Sequence, residues 1–234
     1  MGANSHQSGS TDWRVIYACD VGTTRPGPEG PAFAWAKLSP QEPARVRVSQ
    51  DIERLVTDIA NEIQGGKSVA LGFEAPLFIP VPSSANDLSR GRDGERDRSF
   101  AAPAGLAVTA LAVHQAAWIL SSLRSGCNRE CGFTTDWKAW PPAGERQTLF
   151  CWEAFVSRKA HSDTHVYDAA TAATAFLIKE HNLDQENAVT AERPLSLIGA
   201  AALWSGWTDD LAVLHSPSLV MMPAEPYKGP VEQA

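Results

Sequence analysis

Residues 13–22 read WRVIYACDVG. The stretch is rich in β-branched and aromatic residues, carries one carboxylate at Asp20 and is stopped by Gly22, which predicts a buried strand over 13–21. Turn residues at 23–30 and 39–43 separate it from 32–38 and from the alternating 44–49, predicting three sequential antiparallel strands. Asp51 is a good N-cap for a helix to about Gln64, with Ile52, Leu55, Val56, Ile59 and Ile63 on one face and Gly65–Gly66 at its end. A second buried strand follows at 68–74, and Pro76, Pro80 and Pro82 forbid regular structure after it. Residues 106–123 predict an apolar helix, 148–155 a third buried strand, 164–180 and 195–207 helices, and 211–222 a last strand. Between 125 and 146 the chain reads as irregular, with Trp137 and Trp140 as anchors. Three antiparallel strands followed by strand–helix alternation predict an α/β fold: a mixed five-stranded sheet, antiparallel then parallel, covered by helices.

Of 234 residues, 44% are hydrophobic and 20% charged, which excludes a mostly disordered or fibrous chain and fits one domain over 13–222. Residues 1–12 are small and polar and predict a disordered tail. Residues 223–234 carry Pro223, Pro226 and Pro230 without periodicity and predict a loose one. The first residues lack the apolar core of a signal peptide. No apolar run is read as approaching the roughly 18 residues that span a bilayer. Cys19, Cys127, Cys131 and Cys151 are too few for a disulfide scaffold, so a reducing, cytoplasmic setting is expected. Asp and Glu outnumber Lys and Arg by 27 to 20, a net charge of −7. That argues against sequence-independent binding of nucleic acid through a basic surface. It leaves room for an acidic site that holds cations and acts on an anion.

Three apolar strand runs each close on one carboxylate: VIYACD on Asp20, VALGFE on Glu74 and TLFCWE on Glu153. If helical crossovers make these strands parallel, all three acids reach the carboxyl edge of the sheet, where open α/β sheets bind ligands. A fourth acid, Asp168, opens the helix HVYDAATAATAFLIK, which carries no further charge until Lys179 and is clean enough to be buried. A buried carboxylate needs a partner or a metal, although an acid in a first helical turn is also favoured by the dipole. His165 shares the face of Asp168 three residues on, whereas His161 reads as a loop residue. Clustered Asp and Glu oxygens suit hard divalent cations, so Mg²⁺ or Mn²⁺ is the expected cofactor. Two such ions serve phosphoryl transfer by clamping the attacking and leaving oxygens.

The order of elements resembles the RNase H-like fold. ACDVGTT (18–24) resembles its first-strand aspartate motif and GFEAPL (72–77) the strand motif with the second acid. HVYDAATAA (165–173) resembles the late-helix motif of Holliday-junction resolvases and of the related nuclease domain of CRISPR effectors. EAPLFIP, LFCWEAF and YDAATAATAF are similar to motifs of an uncharacterised bacterial family of predicted RNase H-like nucleases. The resemblance covers about residues 13–207 and implies a metal-dependent nuclease acting on DNA or RNA. It implies Asp20, Glu74 and Asp168 as metal ligands, His165 as an auxiliary near the attacking water or leaving group, and Glu153 as the family's strand acid. Glu74 stands where that family commonly has Asp, and 152–155 lacks its proline.

Two other readings of function remain open. An RNase H-like domain kept as a non-catalytic binding or assembly module would account for the missing basic surface. DVGTT also resembles the phosphate loop of actin-like ATPases, but no second glycine-rich phosphate loop follows. Cys127 and Cys131 with His161 and His165 are too far apart for a zinc finger. In 88–99, Arg90, Arg92, Arg96 and Arg98 are offset by Asp87, Asp93, Glu95 and Asp97, so a solvated surface loop is expected, with a mobile phosphate-ordering lid as the alternative.

Overall fold

The computed structural model describes residues 13–28, 30–95, 99–127, 130–140, 147–156 and 159–234, so the expected tail 1–12, Arg96 and Arg98 lie outside it. The predicted strand runs form β1 (Arg14–Asp20), β2 (Ala34–Leu38), β3 (Val46–Ser49), β4 (Ser68–Glu74) and later β7 (Thr148–Ala154). Asp51 caps α1 (Ile52–Gln64) by accepting from the amides of Glu53 and Arg54, and Leu55, Ile59 and Ile63 face the sheet. Then follow β5 (Phe78–Pro80), α2 (Pro103–Gly126), β6 (Gly132–Thr134), α3 (His165–Lys179), the single turn α4 (Leu183–Glu186), β8 (Pro194–Ser196), α5 (Leu197–Trp204), β9 (Val220–Met221) and β10 (Val231–Gln233).

The main sheet runs β10-β3-β2-β1-β4-β7-β6, with β9 also on β7. β2 is antiparallel to both β1 and β3, and β4 and β7 lie parallel to β1. The mixed α/β class and the five central strands are as expected, but the sheet has eight strands, because three short segments add to its edges. One of them is β10. The C-terminal segment read as loose instead pairs along β3, Val231 packs against the core, and Glu232 meets Arg45 at 2.8 Å. Its prolines bound a three-residue strand too short to show periodicity. The last strand expected over 211–222 is only β9, preceded by a 3₁₀ turn at Leu211–His215.

Strand alternation divides the core into two layers. Val15, Tyr17 and Cys19 of β1, with Leu71, Phe73 and Cys151, face α1, α2 and α5. Ile16 and Ala18, with Ala70, Phe150 and Trp152, face α3. Ala169, Ala170, Ala172 and Ala173 are all buried, so α3 lies close on the sheet. Trp152 stacks on Phe176 with ring centroids 4.6 Å apart and crosses β4 at Gly72, where any Cβ would strike the indole. Trp140 is buried and stacks on Phe150, as an anchor should.

α2 corrects one expectation. From Pro103 to Leu123 it carries no charge, so by length and composition this 24-residue helix could cross a membrane. Thr109, His114 and Gln115 interrupt its apolar run without adding charge. Here Ala112, Ala116, Ile119, Leu120 and Leu123 pack it against the sheet layer.

A carboxylate cluster at the carboxyl edge of the sheet

β1 and β4 are parallel with Asp20 directly beside Glu74, so both end on the α3 face of the sheet. The first turn of α3 brings Asp168 onto them. One carboxylate oxygen from each of Asp20, Glu74 and Asp168 lies within 4.8 Å of the others. Asp168 is 1% exposed. Its Oδ1 accepts from the Ser162 amide at 2.7 Å and from Ser162 Oγ at 2.9 Å, and its Oδ2 meets His161 Nδ1 at 2.6 Å. Asp20 Oδ2 meets His165 Nδ1 at 2.6 Å. Burial pushes the Asp20 carboxyl from 3.8 up to about 6, against the hydrogen bond and charge of His165.

Both imidazoles are about half exposed. Each spends Nδ1 on a carboxylate and keeps Nε2 for something else. His161, read from sequence as a loop residue, is therefore as closely engaged as His165. It does lie in the loop ahead of the N-cap Thr164, so no helical spacing marks it; the Ser162 amide, bonded to Asp168, folds that loop back onto the start of α3.

Glu153 does not join the cluster. β4 and β7 pair with Phe73 opposite Glu153, so Ala154 takes the place beside Glu74. One residue of register sends the side chain to the opposite face of the sheet. There Glu153 is fully buried and takes a bidentate pair from Arg92, at 2.6 and 2.7 Å, and the Leu77 amide at 3.0 Å. Arg92 also donates to Glu95 at 2.9 Å and to the Phe78 carbonyl, and Glu95 accepts from the amides of Arg92 and Phe100. Burial raises the Glu153 pKa, and Arg92 opposes it.

The described part of the Arg-rich loop is mostly exposed, as expected of a solvated surface loop, but two of its residues turn inward. Arg92 and Glu95 are interior, and Gly94, at φ 100, sits where a Cβ would strike the Ala188 carbonyl. Arg90 and Asp93 do remain exposed, as the charge pattern predicts. Counting charges along the loop could not show that one arginine turns inward, since a buried partner fixed by register lies sixty residues away.

The remaining rival reading also separates in space. Cys131 is buried, all four cysteines are free thiols, and His161 and His165 are engaged with Asp168 and Asp20, so no cysteine–histidine site forms among the described residues.

Beside the cluster opens a cavity of about 410 Å³ beyond the ends of β1, β4 and β7. Asp20 and Glu74 form one side of it, and Pro76, Phe100, Val108, Phe155 and Val156 stand among its apolar walls. The chain matches no family model, and no curated protein and no solved structure proves similar to it.

Proposed function

We propose that this protein is a divalent-cation-dependent phosphodiesterase of RNase H-like type that hydrolyses nucleic acid. The observation that carries the reading is the meeting of Asp20, Glu74 and Asp168 oxygens within 4.8 Å at the carboxyl edge of parallel strands. Three carboxylates in one place repel unless protons or cations compensate them, and an all-oxygen set fits Mg²⁺ or Mn²⁺. The strand order β3-β2-β1-β4-β7, with β2 alone reversed, supports the RNase H-like part of the reading.

Asp20, Glu74 and Asp168 would hold the cation, which when bound supplies a polarised phosphate and an acidified water. Ser162 fixes the Asp168 carboxylate through two hydrogen bonds, so that ligand is oriented in advance. In hydrolysis the water oxygen bonds to phosphorus, the bond from phosphorus to the leaving oxygen breaks, and a proton finishes on that oxygen. His165, anchored through Nδ1 on Asp20, has Nε2 available to carry that proton. His161 is placed likewise on Asp168. A non-catalytic binding module is the second reading, favoured by the net charge of −7.

The test is the melting temperature against Mn²⁺ and Mg²⁺ concentration for wild type and Asp168→Asn. A cation that binds only the folded state stabilises it by mass action. A saturable rise in wild type that the variant loses, followed by chelator-sensitive cleavage that Asp20→Asn and Asp168→Asn abolish, is the expected result. A metal-dependent rise without cleavage of any DNA or RNA favours the binding module.

A further inference from the structure

We infer that the cavity beside the cluster is a pocket for a single unpaired nucleobase, so that the substrate is a dinucleotide or another very short single-stranded oligonucleotide and not a duplex. This rests on the phosphodiesterase reading and adds the substrate class to it. About 410 Å³ lies within the roughly 300–1,000 Å³ typical of small-molecule sites. The walls divide sharply by chemistry. Among the described residues, Asp20 and Glu74 are the only charged ones lining the cavity and Ser99 the only hydroxyl, and the other described lining residues are apolar or small. Among the described residues, no Lys or Arg lines it. A polymer is held by cations that follow successive phosphates, about 3.4 Å apart along each strand. None of the described lining residues is such a cation.

One phosphate placed at the cluster is the most that the charged side can take. The apolar side can take the attached base, with Phe100 and Phe155 as flat partners. The wall is also built to keep its shape. Ala102 leads into α2, and Gly105 in its first turn lies so close to the carbonyls of Ser99 and Phe100 that a Cβ would collide with both. The Phe100 amide is tied to Glu95, and through Glu95 to the buried Arg92–Glu153 pair. The strand acid that leaves the cluster therefore anchors the pocket wall. The −7 net charge, which argues against a nucleic-acid binder with a basic surface, is no obstacle to a site that takes one phosphate through a cation.

The experiment is titration calorimetry on the full chain with saturating Mg²⁺, using three probes: inorganic phosphate, thymidine monophosphate and a short DNA duplex. The variants are Phe155→Ala and Ala104→Trp; Ala104 lines the cavity at an exposed helix position, where a large side chain fills space without disturbing the core. Thymidine monophosphate should bind about tenfold or more tightly than inorganic phosphate, the scale of one base stacked on an aromatic side chain. Both substitutions should remove that preference and leave phosphate binding and the metal-dependent rise in melting temperature intact. Equal affinity for phosphate and nucleotide in wild type, a preference that survives both substitutions, or a duplex bound as tightly as the nucleotide overturns the pocket alone. Absence of both the metal-dependent rise and phosphate binding overturns the phosphodiesterase reading itself, and the pocket with it.

Discussion

Asp20 shows how much of this site is decided by a single side chain's surroundings. Folding raises its pKa from 3.8 to about 6, mainly through burial, so the folded protein holds that proton more tightly than the unfolded chain. The stability this gives is complete below 3.8 and is lost as pH rises through about 6. At about 1.4 kcal/mol per unit the loss comes to roughly 3 kcal/mol. Urea unfolding without divalent cation, on either side of that window, should show the loss in wild type and not in Asp20→Asn, and added Mg²⁺ should restore it. Glu153 gives the contrasting case. Arg92→Met strands Glu153 in the interior and should cost about 3–5 kcal/mol, since breaking a buried pair leaves an uncompensated charge. Arg92→Met with Glu153→Met should recover part of that cost. Glu153→Gln should keep the metal-dependent rise in melting temperature, which a fourth ligand would not.

At the scale of elements, α3 is the piece that makes the site, because it carries His165 and Asp168 and meets the sheet through alanines. Ala173→Leu should destabilise by about 1–3 kcal/mol through overpacking. It should also weaken the metal response by moving Asp168 off Asp20 and Glu74. Phe176→Ala removes the ring stacked on Trp152 and should cost about 3–5 kcal/mol. Comparing the two by urea unfolding and metal titration separates lost packing from lost placement. The alanine-rich run of α3, the capped α1 and the apolar strands ending in acids were all legible in the sequence, because each is a local pattern with one physical cause. The register between β4 and β7 was not. It goes with the facing of Phe150 and Trp152 onto α3, a tertiary choice: the β1–β4 register puts Asp20 and Glu74 on one face, and the β4–β7 register sends Glu153 to the other. β10 was hidden for a related reason: the three residues that follow Pro230 carry no period, and only the open edge of β3 gives them a partner.

For the molecule as a whole, charge and shape must be reconciled with a polyanionic substrate. A chain at −7 gives a long nucleic acid no net attraction beyond the phosphate that the cation would hold. Affinity should therefore not grow with strand length. Single-strand binding that neutralises Z phosphates falls with salt at a log–log slope of about −0.7Z. A dinucleotide has one phosphate, so with Mg²⁺ saturating its slope should be no steeper than about −0.7. A long unpaired strand bound through one terminal nucleotide should give the same slope, whereas a surface that tracks the backbone should give a slope that steepens with every added contact. Calorimetric titration of both ligands across a series of KCl concentrations measures this directly. Coincident shallow slopes are expected on the proposed reading, in which the phosphate is held through the carboxylate-bound cation and the described remainder of the pocket is apolar and insensitive to screening. A slope that steepens with length would mean that cations elsewhere on the surface follow the strand, and the one-nucleotide account of the site would have to be abandoned.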